Sequence, residues 1–129
     1  MKKLLSILTV MLVAVVLLSA CKKEDDRDQF IGTFKMIEKC PYWEDQYSVT
    51  ITTSSANKSD VLINGLFGIS GLSCPATING TNMNISLYIY SGMSFSGSAR
   101  LNGIYLDMAL QVTHPEYGVF NVTISGTKL

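Results

Sequence analysis

The chain has 129 residues, with ten lysines and arginines against ten aspartates and glutamates, one histidine and a formal net charge of zero. That length holds one domain of ordinary size, and the balanced charge offers no basic stripe for a nucleic-acid backbone, so no nucleic-acid partner is expected. Three cysteines and a single histidine lack any zinc-like spacing.

Lys2 and Lys3 open the chain, and Leu4 to Leu18 is then apolar except for Ser6 and Thr9. Crossing a bilayer takes about 20 apolar residues, so this shorter run fits the core of a secretory signal over residues 1–20. It ends in Leu18-Ser19-Ala20-Cys21, which resembles the lipobox of bacterial lipoproteins. The resemblance implies cleavage before Cys21, a diacylglycerol on its thiol, acylation of the new amino terminus, and a mature protein held to a membrane by lipid. Acyl chains contribute about 0.8 kcal/mol per buried CH₂, and two already give stable attachment. Beyond that covalent lipid no cofactor is expected.

Residues 21–29 follow as the lipidated cysteine and a charged tether. Lys22 to Asp28 offers nothing to bury beyond lysine stems, which reads as a solvated link. Within it, Lys23, Glu24 and Asp25 resemble the export signal of Gram-negative lipoproteins displayed on the cell surface. The implied location is the outer membrane, facing outward, with a periplasm-facing lipoprotein as the alternative.

From Phe30 onward the pattern is period-two alternation, the signature of half-buried strands. Phe30 to Lys39 opens the domain. Tyr47, Val49 and Ile51 then alternate with Ser48, Thr50 and Thr52, and a short strand follows around Val61 to Asn64. Cys74, Ala76 and Ile78 share a face. Met83, Ile85, Leu87 and Ile89 point one way, and Tyr88 and Tyr90 the other. Phe95, Gly97, Ala99 and Leu101 point inward, joined through Asn102-Gly103 to Ile104, Leu106, Met108, Leu110 and Val112, a pair of residues suited to a tight hairpin turn. Phe120, Val122 and Ile124 close the series.

No segment shows helical spacing, so nothing is available to cover the apolar faces except the sheet itself. Short links rich in Asn, Gly and Ser make neighbours antiparallel. The expected fold for residues 30–129 is all-β: a small up-and-down barrel of about eight strands, with a two-sheet sandwich as the alternative. Phe30-Ile31-Gly32-Thr33-Phe34 resembles the opening strand of lipocalin-like calycin barrels, which implies that Phe34 packs across one barrel end.

Parity places Cys40 and Cys74 on inward faces, and an up-and-down order sets the end of the first strand beside the start of the fourth. A disulfide there would close the rim beneath Tyr42 and Trp43; the alternative is two buried free thiols. Glu38 is an acidic residue on the apolar face of its strand, either an inward carboxylate for a ligand or a rim residue. His114 sits in a polar hairpin loop and reads as an exposed loop residue. No nucleophile elbow, phosphate loop or carboxylate pair suggests an enzyme.

Two functions remain. The first is a noncatalytic binding module whose barrel mouth holds a small apolar molecule or a glycan, with Tyr42, Trp43, Glu38 and Phe34 as candidate contacts. The second is an accessory subunit that docks an envelope protein through its outer wall.

Overall fold

The computed structural model describes residues 25–129. The signal over 1–20, Cys21, Lys23 and Glu24 lie outside the described residues. Eight strands run in chain order around a closed antiparallel barrel: β1 (Gly32–Lys39), β2 (Glu44–Thr53), β3 (Asp60–Asn64), β4 (Ser73–Asn79), β5 (Asn82–Tyr90), β6 (Met93–Asn102), β7 (Tyr105–His114) and β8 (Gly118–Lys128). Pairing of β8 with β1 completes the ring, from Phe34 opposite Lys128 to Lys39 opposite Thr123. Followed once around, the ladder that leaves β1 at Gly32 returns to it about nine residues further on, the stagger that closing eight tilted strands demands.

Alternation explains the core. Met36, Val49, Ile51, Val61, Ile63, Ala76, Met83, Ile85, Phe95, Leu106, Met108, Leu110, Val112, Val122 and Ile124 are all buried inside the barrel. Most of their outward neighbours are polar and exposed; Ile37, Leu62 and Ala109 are apolar exceptions. Gly97 is required by this packing: a Cβ there would lie 2.0 Å from the Ala109 carbonyl oxygen.

The second half of β5 departs from the alternation. The register with β6 shifts between Ile85 and Tyr88, a bulge that inserts one extra residue and reverses every side chain beyond it. Leu87 and Ile89, expected inward, are 68% and 70% exposed. Tyr88 and Tyr90, expected outward, are half-buried against the core, with the Tyr88 ring 5.6 Å from that of Phe95. The β6–β7 turn also differs by one residue. Asn102 pairs with Tyr105, so the two-residue turn is Gly103-Ile104, with Gly103 at φ 64° and Ile104 out in solvent. Glycine at the first turn position is what this type of hairpin selects.

Two 3₁₀ turns finish the barrel, one at each end. Asp26–Phe30 closes the floor, although its residues were expected to belong largely to the solvated tether. Arg27 is the reason. Its guanidinium grips the Asp25 carboxylate at 2.6 Å and donates from Nη1 to the Asn57 and Asp60 carbonyl oxygens at 3.2 and 3.1 Å. That satisfies backbone acceptors of the β2–β3 turn and holds the Asp25 carboxyl below its usual range. Gln29 donates to the Gly80 carbonyl, Lys128 Nζ donates to the Gln29 carbonyl, and Phe30 fills the floor with no exposed surface. At the opposite end Leu66–Gly68 lies across the mouth, between β3 and β4.

The expected Cys40–Cys74 disulfide is not formed; both thiols are free. The geometry explains this. β3 has only 5 residues against 10 in β2, so β4 starts part-way down the wall rather than at the rim. Cys74 pairs with Ile63, Ile63 with Ile51 and Ile51 with Gly32, which leads to the start of β1 and not to its end. Cys74 is buried in the core, and burial pushes its thiol up to about 12.

Candidate functional site at the barrel mouth

The β1–β2 link is short, because β2 begins at Glu44 and not near Tyr47. Cys40 N–H donates to the Trp43 carbonyl oxygen at 3.0 Å and closes a four-residue turn. Tyr42 swings to the β8 side, where its ring stacks on Tyr117 at 4.5 Å and meets Phe120 edge-on at 5.0 Å. Trp43 turns into the mouth, edge-on to Phe120 at 5.4 Å and to His114 at 6.4 Å.

Glu38 holds Trp43 there. Its side chain points inward and is 1% exposed. Oε2 accepts from the Trp43 indole N–H at 2.6 Å, and Oε1 accepts from the Tyr47 hydroxyl at 2.7 Å. Burial raises the Glu38 pKa; the bonds from Tyr47 and Trp43 oppose that rise, and Asp45 adds to it. The Tyr47 hydroxyl is pushed up in turn, by its own burial first and by Glu38 second. The loop is therefore held by a buried carboxylate and stacked rings, the work the sequence assigned to a disulfide.

Around this centre lies a hollow of about 280 Å³, lined by Glu38, Trp43, Asp45, Phe67, Ile69, Met93 and His114. Phe67 has a left-handed backbone, φ 60° and ψ 16°, which costs a bulky residue about 1–3 kcal/mol and is tolerated where the surroundings enforce it. Here that conformation sets its ring edge-on to Phe95 at 5.0 Å. His114 is half-buried on the wall of the hollow, and its Nδ1 accepts from the Glu116 backbone N–H at 3.1 Å.

A larger hollow, about 940 Å³, lies on the outer wall across β4 to β8. It is a trough over short, exposed side chains such as Asn84, Ser98, Ala109 and Thr123. Among the described residues no buried polar group aims into it. The mouth is the better candidate because aromatic, apolar and charged groups converge there on one small space.

Glu38 and Trp43 thus come together at the mouth, and Tyr42 braces them from the flank. Phe34 does not join them. It is fully buried toward the floor, paired with Lys128, whose Nζ lies 5.9 Å from its ring centroid. Asp25 is also at the floor, capping the 3₁₀ turn. Asp45 was overlooked, although it shares parity with Tyr47, Val49 and Ile51 and so lies on the inward side. Phe67 and Ile69 had no sequence signal, since their loop follows no period, whereas Met93, at the start of β6, shares the parity of Phe95 and was overlooked. No protein-family model matches the chain, and no curated protein matches it.

Proposed function

We propose that this chain is a lipid-anchored outer-membrane protein, displayed on the cell surface, that binds a small apolar molecule or a glycan unit at its barrel mouth without catalysis. The observation that carries the binding reading is the mouth hollow of about 280 Å³, where Trp43 is already fixed by Glu38 before any ligand arrives. Preorganised aromatic surface lowers the entropic cost of binding. The size is at the small end for ligand sites, and the interior below is filled with side chains; the ligand would sit in the mouth, not deep in the barrel. The Glu38 oxygens accept from Trp43 and Tyr47, and His114 Nδ1 accepts from the Glu116 backbone.

The anchor rests on Leu18-Ser19-Ala20-Cys21 and the surface address on Lys23-Glu24-Asp25. Metabolic labelling with a fatty-acid analogue should mark the natural chain and not Cys21→Ala. Replacing Lys23-Glu24-Asp25 with alanines should keep the label but protect the protein from protease added to intact cells. For the site, native mass spectrometry of the protein extracted from its own membrane should show a bound small molecule that Trp43→Ala loses. Equal occupancy in the variant would place the ligand elsewhere.

A second reading is an accessory subunit that docks an envelope protein. It is favoured by Leu87 and Ile89, turned to solvent by the bulge in β5, and by a β4–β5 pairing limited to Thr77–Asn79 against Asn82–Asn84.

A further inference from the structure

The mouth carries an electrostatic conflict that no lysine or arginine among the described residues relieves. Glu38 and Asp45 are direct partners across the β1–β2 pair, both on the inward side. Like charges directly opposite on a sheet are destabilising, and both residues line the hollow. Among the described residues neither acid is in an ion pair. The two pairs present are Arg27 with Asp25 at the floor and Lys39 with Glu44 on exposed side chains of the rim. The lining contains no lysine or arginine.

Resting on the reading of the mouth as a binding site, we propose that its ligand is a small organic cation, a protonated or methylated amine carried on a compact apolar body. The cationic head would sit between the two carboxylates, in reach of the Trp43 and Phe67 rings; aromatic faces attract cations within about 6 Å of their centroids. Ile69 and Met93 offer the apolar wall for the body. Glu38 needs no rearrangement, because Trp43 and Tyr47 already orient it. An anionic ligand would face two acids, and a neutral sugar would leave the conflict in place.

The test uses the full mature chain and follows the fluorescence of Trp43, the only tryptophan. It is titrated at neutral pH with 2-phenylethylamine, which is protonated there, and with 2-phenylethanol, which has the same ring and chain without the charge. The amine should bind about tenfold more tightly, the scale expected of a desolvated cation beside a ring and a carboxylate. Asp45→Asn, at the exposed rim, should reduce that preference several-fold, and Glu38→Gln should abolish it. Should Glu38→Gln fold poorly, the Asp45→Asn result decides. Equal binding of amine and alcohol overturns the cation assignment and leaves the mouth as a pocket for neutral molecules. A preference that survives both substitutions overturns the role of the carboxylates. No response to either probe overturns this inference together with the mouth site.

Discussion

Phe30 offers the strongest test of the idea that the start of the domain is structural and not a solvated tether. Its ring is fully buried at the barrel floor. A phenylalanine removes about 150–250 Å² from water, which at about 25 cal/mol per Å² amounts to roughly 4–6 kcal/mol. Alanine keeps the Cβ, and the denatured chain already hides part of that area, so the expected loss for Phe30→Ala is about 3–4 kcal/mol, consistent with measured truncations of buried aromatics. For a domain of this size each kcal/mol moves Tm by about 4 °C or a little more, so the midpoint should fall by roughly 12–16 °C. Thermal unfolding of a soluble form starting at Lys22, read by far-UV circular dichroism, measures it. Gln29→Ala, which loses one exposed hydrogen bond, should stay within about 1 kcal/mol. Deleting residues 25–30 should cost at least as much as Phe30→Ala, because Arg27 and its carbonyl contacts go too. A fall of under about 4 °C for Phe30→Ala would refute the reasoning, and Phe30 would then be an ornament on a barrel that closes without it.

Three further outcomes are expected. Glu38 is more readily protonated in the folded chain than in the unfolded one, so its contribution favours folding at low pH and is lost as pH rises through the folded-state value. Urea unfolding followed at Trp43 should show the natural chain losing ground to Glu38→Gln as pH climbs from about 4.3, and the opposite slope would contradict the burial argument. Ile85→Ala should cost about 2–5 kcal/mol while Leu87→Ala, beyond the bulge, stays within about 0.5 kcal/mol; a reversal in the denaturant midpoints would remove the bulge. In the native, unreduced protein Cys40 should react with a maleimide and Cys74 should not, since burial keeps the Cys74 thiol protonated with a pKa of about 12; unfolding without reductant should release both.

Barrel closure was legible because one-sided alternation over so many short strands leaves no other way to cover the apolar faces. The bulge in β5 was hidden for the same reason. In Leu87-Tyr88-Ile89-Tyr90 both parities are apolar, so a slip of one residue leaves the pattern looking unchanged. The disulfide failed on length: parity correctly turned both cysteines toward the interior, but five-residue β3 sets β4 lower than an even meander would. At the site, Glu38 stood out as an acid on an apolar face and Trp43 as an aromatic in a rim loop. Their hydrogen bond joins residues across a turn whose shape depends on where β2 starts. The floor was misread through composition. A run of charges conceals an arginine whose donors match backbone acceptors in a turn about thirty residues away.

The placement of the two 3₁₀ turns at opposite ends has a consequence for how the molecule would stand on a cell. The first described residue, Asp25, is fixed to the floor, and Cys21 is four residues before it. Four residues stretch to about 14 Å at most. A lipid on Cys21, as proposed, would therefore hold the floor within that distance of the bilayer, with the Trp43 mouth at the other end of the barrel. On the proposed anchoring, the attachment point and the candidate site would stand at opposite ends of the barrel.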